Sequence, residues 1–105
     1  MMHKSLGEGR WHKLTLAEQL GNIGSEFDRV IRAKQQPDQN RKQKALSRFL
    51  ELFDLTLSDP RWTGPRRREL ARLREQSLEE LEGDKSPGGL SKYYLNFAIA
   101  ARTNH

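Results

Sequence analysis

The chain has 105 residues, of which 34% are hydrophobic and 31% are charged, and it carries a net charge of +5. This length fits one domain with a modest core, and the basic surface indicates an anionic partner. Because the sequence contains no cysteine, disulfides, thiolate catalysis and cysteine-based zinc sites are excluded. Residues 1–10 hold no apolar signal-like run, and no stretch is apolar enough for a membrane span, so we expect a cytoplasmic protein.

A tail over residues 1–14 leads into the first predicted helix, over residues 15–34. Thr15 and Glu18 have the spacing of a capping box, in which each side chain bonds the other residue's backbone N–H. Apolar residues then recur at three- and four-residue steps and define one helix face, which consists of Leu16, Leu20, Ile23, Phe27 and Ile31.

Small residues form a separate strip on this helix, at Ala17, Gly21 and Gly24. We call it the small-residue strip. An interior glycine costs a helix about 0.8–1.0 kcal/mol relative to alanine. The strip therefore predicts either a helix neighbour that approaches closely or a bend in the helix.

The second predicted helix, over residues 41–57, is apolar nearly all round, because Leu52 and Leu55 fall outside its main apolar arc. A helix of this kind is buried centrally or in a subunit interface. We therefore predict self-association, as a closed ring or a two-fold dimer, through Leu52 and Leu55 or through the small-residue strip. The alternative is that Trp11 and Trp62 cover the two leucines.

The third predicted helix covers residues 65–82 and opens with Pro65, a residue suited to the first helical position. A linker over residues 83–89 separates it from a fourth helix over residues 90–102. No segment alternates between apolar and polar residues over a useful length, so strands are not expected. The sequence thus predicts an all-α fold, an antiparallel (up-down) four-helix bundle that forms one domain over residues 1–105. Its predicted core is Leu16, Leu20, Ile23, Phe27, Leu46, Phe49, Leu50, Phe53, Leu70, Leu73, Leu81, Tyr94 and Phe97.

The sequence offers little for catalysis or metal binding. Histidine occurs only at positions 3, 12 and 105, outside the predicted helices. A nucleophile therefore has no obvious histidine base beside it, and a metal site has no histidine ligand on a helix. One interpretation pairs Glu26 with Asp54 as an acid/base couple, and the other has a carboxylate bonded to a neighbouring arginine or tyrosine. We predict a non-enzymatic protein with no catalytic residue, no cofactor and no metal. A polar stripe on the first helix is expected to be solvated, and it comprises Gln19, Asn22, Glu26 and Arg29.

The basic residues are concentrated in the middle of the chain. Between Arg32 and Arg74 there are twelve lysines and arginines against five acidic residues. The third helix begins with arginines and ends with glutamates, which is opposite to the order that the helix dipole favours. Because arginine suits bidentate phosphate contacts, we predict that two clusters bind nucleic-acid backbone. They are Arg41, Lys42, Lys44 and Arg48 on the second helix, and Arg66, Arg67, Arg68, Arg72 and Arg74 on the third.

Three interpretations of this charge are open: a solvated surface with local ion pairs, a surface that binds RNA or DNA backbone, and one that docks an acidic protein. Trp62 is the only aromatic residue of the basic zone that is a candidate for stacking on bases, so sequence-specific reading of single strands is not expected. The predicted function is a non-enzymatic accessory or adaptor protein in a nucleoprotein complex, such as one with a reverse transcriptase. The alternative is a protein–protein interaction module whose arginines dock an acidic partner.

Four stretches distributed along most of the chain resemble a group of small prokaryotic helical proteins that has no established activity. They are Trp11 to Leu16, Gln19 to Glu26, Leu52 to Arg61 and Tyr93 to Arg102. In size, basicity and helical plan, the chain is also similar to the accessory variability determinant of diversity-generating retroelements. That resemblance implies a homo-oligomer, a pentameric four-helix bundle that binds a reverse transcriptase and its RNA. It carries no functional residue over to this sequence.

Overall fold

Four long helices make up most of the computed structural model, which describes residues 9–83 and 89–103. They are α1 (Leu16–Lys34), α2 (Gln39–Leu57), α3 (Gly64–Glu82) and α4 (Leu90–Thr103). A short helical turn at residues 9–11 precedes α1, and no strand occurs among the described residues. The prediction of an all-helical fold is therefore confirmed. Residues 1–8 of the predicted tail, 84–88 of the predicted linker, and 104 and 105 lie outside the described part.

Local capping explains where α1 and α2 begin. The predicted capping box of α1 is confirmed, because Thr15 Oγ1 accepts from Glu18 N at 3.1 Å and Thr15 N donates to Glu18 Oε1 at 2.8 Å. α2 begins at Gln39 rather than at residue 41, because the side chain of Asp38 accepts from N–H groups of the first turn. α3 begins at Gly64, whose φ of 57° lies in the left-handed region that favours glycine.

A chain of aromatic side chains joins three of the helices at the centre of the core. Phe27 of α1 contacts Tyr94 of α4 and Phe49 of α2, with ring centroids 5.3 and 6.1 Å apart. Phe49 also contacts Phe53, at 5.6 Å. All four side chains are buried, as predicted. Aromatic pairs at such separations stabilise a core beyond the area that they bury.

The rest of the core agrees with the prediction except at its edges. The predicted residues Leu20, Ile23, Leu70, Leu73 and Leu81 are buried. Four further residues of α1 and α2 are buried although they lie outside the predicted core, because the inner faces of these helices are wider than predicted. They are Val30, Ala33, Ala45 and Leu55. Other predicted core residues only pack against its margin, and they are Leu16, Leu46, Leu50 and Phe97.

The small-residue strip of α1 faces α4 of the same chain. A Cβ atom at Gly21 would lie 2.9 Å from Ala98 Cα, and one at Gly24 would overlap the Cβ of Tyr94. The predicted close helix neighbour is therefore confirmed. The prediction that Gly21 and Gly24 contact a second copy of the chain is corrected, because α4 already occupies this surface and both glycines are buried. Ala17, the third residue of the strip, is half-buried.

We expect Gly24→Ala to destabilise the fold even though alanine is the better helix former. Helix propensity alone predicts a gain of about 0.8–1.0 kcal/mol. The new methyl group meets Tyr94, however, so we expect a net loss of about 1–3 kcal/mol in the free energy of unfolding, measured by urea denaturation. Ser25→Ala is the control, because Ser25 is exposed on the same turn, and its effect should stay within about 0.5 kcal/mol. A more stable Gly24→Ala variant would contradict the packing of α1 on α4.

The segment before α1 covers the back of α2. Trp11 is buried and its Nε1 donates to Thr56 Oγ1 at 2.8 Å, while His12 Nε2 lies 3.1 Å from Leu55 O. Leu55 is consequently buried in the same core as Trp11, and Leu52 packs against that core. This corrects the prediction that Leu55 forms a subunit interface. Of the alternative in which Trp11 and Trp62 cover the leucines, it supports the part that concerns Trp11. Self-association itself stays a prediction.

Candidate nucleic-acid interface

A groove lined by basic side chains runs between α1 and α2. Within each helix these side chains lie three or four positions apart, so each set shares one helix face. Two buried alanines, Ala33 and Ala45, also line the groove, and their small side chains leave it concave. We call this surface the basic groove. Its five cations are Arg29 and Arg32 from α1, and Arg41, Lys44 and Arg48 from α2.

One carboxylate, that of Glu26, lies in the basic groove between its two walls. Its Oε2 is 3.4 Å from Arg29 Nη1 and 3.9 Å from Arg48 Nε. The Glu26 side chain is 10% exposed, whereas those of Arg29 and Arg48 are 63% and 61% exposed. The carboxylate therefore holds the two guanidinium groups while leaving them open to solvent. Ion pairs with partners this exposed contribute only about 0–1 kcal/mol to stability.

The basic surface continues onto the N-terminal segment. A second concave stretch shares Glu26, Arg29 and Arg48 with the basic groove and adds Arg10 and Lys13. Its apolar lining consists of Trp11, Leu14, Leu52 and Leu55. The packing of the N-terminal segment on α2 thus places two further cations beside the basic groove.

Only part of the predicted α2 cluster lies in the basic groove. Arg41, Lys44 and Arg48 line it, whereas Lys42 is half-buried on another face of α2. The sequence prediction did not include two residues of the groove, which are Arg29 and Arg32. Arg29 follows Glu26 by three positions, and this spacing was the available signal, but it indicated only a solvated stripe.

The arginines at the start of α3 do not line the basic groove, and two of them have structural contacts. Arg67 Nε donates to Leu57 O at 3.1 Å, which satisfies a carbonyl at the end of α2. Arg74 Nε lies 3.3 Å from Asp54 Oδ1, and the Arg74 side chain is only 25% exposed. The other three predicted residues are exposed, and they are Arg66, Arg68 and Arg72. The start of α3 is therefore a second basic surface.

The carboxylates Glu26 and Asp54 each pair with arginine, as expected from the alternative to an acid/base couple. The described residues contain no group of histidine and acidic side chains that could hold a metal ion. None of the described helices has both the length and the apolar character that crossing a lipid bilayer requires.

A buried polar cluster fixes the joint between α2 and α3. Asp59 is 2% exposed, and its carboxylate accepts from Arg61 Nη2 at 2.7 Å and from Gln19 Nε2 at 3.0 Å. Arg61 also donates to Leu14 O, and its guanidinium lies 4.6 Å from the ring centroid of Trp62. Burial alone would raise the pKa of Asp59. Hydrogen bonds from Arg61 and Gln19 outweigh burial and hold this pKa well below its ordinary value of 3.8.

Gln19 connects this cluster to the N-terminal segment. Its Nε2 donates to Trp11 O at 2.9 Å as well as to Asp59, and its Oε1 accepts from Trp62 Nε1 at 2.9 Å. Gln19 is fully buried and Glu26 is 8% exposed, which corrects the prediction that these two residues lie on a solvated stripe. The cluster therefore fastens the segment that carries Arg10 and Lys13 to the helices.

No protein-family model, curated protein or solved structure matches the chain. The resemblance to small prokaryotic helical proteins and to the accessory variability determinant of retroelements stays a prediction. What the chain binds is therefore inferred from the basic groove itself.

Proposed function

We propose that the chain is a non-enzymatic accessory protein that binds the phosphate backbone of nucleic acid through the basic groove. The observation that supports this function is that, among the described residues, five exposed cations from two helices converge around a single carboxylate, that of Glu26. Such a surface attracts polyanions, and the planar fork of arginine matches the phosphate group. The expected setting is a cytoplasmic nucleoprotein complex, such as one with a reverse transcriptase, in which self-association would add avidity.

The charge balance in the groove favours this function over a solvated surface with local ion pairs. Glu26 pairs with Arg29 and Arg48. Among the described residues, no ion pair involves Arg32, Arg41 or Lys44. Three cations of one concave surface are thus left without a protein carboxylate, and phosphate groups would supply the missing negative charge.

The four long helices are proposed to form an antiparallel, up-down bundle. Gly21 lies against Ala98 and Gly24 against Tyr94, so residue numbers rise along α1 as they fall along α4. Arg67 pairs with Leu57, and Arg74 pairs with Asp54. Residue numbers therefore rise along α3 as they fall along α2, so these two helices are also antiparallel. Opposed directions in neighbouring helices are typical of bundles with short connections.

The salt dependence of binding to short mixed-sequence RNA and DNA tests the proposed function. Each lysine or arginine that neutralises a phosphate contributes about 0.7–0.9 to the slope of log affinity against log salt. The triple variant Arg32→Gln, Arg41→Gln, Lys44→Gln is therefore expected to bind more weakly at low salt, with a slope shallower by about 2–3. Fluorescence anisotropy across a salt series measures the affinity and the slope.

The matched control is the triple variant Arg66→Gln, Arg68→Gln, Arg72→Gln, which removes the same charge from exposed positions on α3. We expect it to keep most of the affinity and of the slope. Equal losses in the two variants would mean that net charge, rather than the basic groove, governs binding. If the wild-type protein binds neither RNA nor DNA at low salt, the proposed function is wrong, and docking of an acidic protein becomes the better interpretation.

A further inference from the structure

Six of the eight aromatic side chains of the chain are engaged in its core or in its polar cluster. Trp11 is buried and bonded to Thr56, and Trp62 donates to Gln19 while the guanidinium of Arg61 lies over its ring. The other four form the aromatic centre of the core: Phe27, Phe49, Phe53 and Tyr94.

The remaining two aromatic side chains, Tyr93 and Phe97, do not line the basic groove. Tyr93 and Phe97 stack on each other on α4, with ring centroids 5.2 Å apart. α4 packs on α1 at Gly21 and Gly24, whereas the groove begins at Glu26. Tyr93 lines a different concave surface, together with Leu73 and Gln76 of α3. Among the described residues, no aromatic ring thus lines the basic groove, and Trp11 in the adjoining stretch is only 7% exposed.

The two walls of the basic groove are also held relative to each other before any ligand arrives. Phe27 of α1 contacts Phe49 of α2 in the buried core, and Glu26 adds a weaker ion pair to Arg48 of the opposite helix. Ala33 and Ala45 are buried between the walls, where the helices pack closely. A groove fixed in this way gains most from a ligand that is itself rigid, because little ordering remains to be done on binding.

From these observations we infer that the basic groove binds double-stranded nucleic acid in preference to single strands, without reading the base sequence. This inference rests on the proposed function. Proteins that bind single strands gain about 1–3 kcal/mol per base from stacking on aromatic side chains, and the groove offers no such contact. A duplex hides its bases, is rigid, and presents one phosphate charge per about 1.7 Å of its axis.

The experiment compares wild-type binding to a short mixed-sequence duplex and to each of its separated strands, with one RNA set and one DNA set. At the same low salt concentration, we expect each strand to bind about tenfold more weakly than its duplex. A duplex of shuffled sequence should bind within about threefold of the original, because one unfavourable base pair costs a sequence-reading protein about 1–3 kcal/mol. Annealing controls on native gels establish that each probe is single- or double-stranded.

Single strands that bind as tightly as the duplex would overturn this inference and leave the proposed function standing. A shuffled duplex that loses more than about tenfold in affinity would also overturn it, since that result requires contacts to base edges. Absence of binding to every probe would overturn the proposed function together with the inference. Tighter binding of the RNA duplex or of the DNA duplex than of its own strands supports the inference. The difference in affinity between the two duplexes then identifies the preferred backbone.

Discussion

Phe49→Ala is expected to lower the free energy of unfolding by about 3–5 kcal/mol, the largest effect that we predict. Phe49 is 0% exposed and contacts Phe27 and Phe53, with ring centroids 6.1 and 5.6 Å apart. Truncation removes both contacts and leaves a cavity between α1 and α2 that the packed helices can close only in part. Urea denaturation followed by circular dichroism measures the change.

Leu95→Ala is the control for this variant, because Leu95 on α4 is 51% exposed and lies outside the core. Its effect should remain below about 1 kcal/mol, since little apolar surface is lost from the interior. A loss below about 1 kcal/mol for Phe49→Ala as well would mean that Phe49 does not pack in the core.

Asp59→Asn is expected to cost about 2–3 kcal/mol, because it removes the buried anion to which Arg61 and Gln19 donate. The Arg61 side chain is 40% exposed and can recover some hydration, which keeps the loss below that of a fully buried pair. Asp54→Asn is the matched control: it removes the same charge from a side chain that is 64% exposed, and its effect should stay below about 1 kcal/mol. Similar losses in the two variants would contradict the special role of Asp59.

The same carboxylate makes stability depend on pH in a defined direction. Because the pKa of Asp59 is lower in the folded chain than its ordinary value of 3.8, its contribution is fully present well above pH 3.8. As the pH falls below that value, the unfolded chain takes up a proton that the folded chain does not. The difference in stability between the wild type and Asp59→Asn should therefore narrow below pH 3.8. A difference that stays constant as the solution is acidified would show that the pKa is not depressed.

The helices were predictable because their signals are local. The capping box of Thr15 and Glu18 and the joint around Pro65 mark helix starts, and apolar spacing marks the inner faces. Exact burial was less predictable, since it depends on which neighbour a face meets. Gly24 has the same appearance in the sequence whether Tyr94 or a second chain covers it, and only the packing of α4 distinguishes the two.

The candidate site was predicted only in part, because it is assembled across helices. Arg41, Lys44 and Arg48 share a face of α2 and could be grouped from their spacing. Arg29 and Arg32 join them only through the pairing of α1 with α2, which single-chain periodicity does not determine. The cluster of Asp59 with Gln19 was missed for the same reason: its hydrogen bonds join residues 40 positions apart.

Under the proposed function, Glu26 would raise the rate at which bound nucleic acid dissociates. A phosphate group that binds Arg29 and Arg48 competes with a carboxylate that already lies within 3.4 and 3.9 Å of them. When the phosphate moves away, Glu26 can restore both ion pairs at once. The charges of Arg29 and Arg48 are then neutralised again, and they attract the departing phosphate less strongly. This internal competitor favours rapid dissociation, and under the proposed function the protein would exchange readily between positions on a polyanion instead of remaining fixed at one of them.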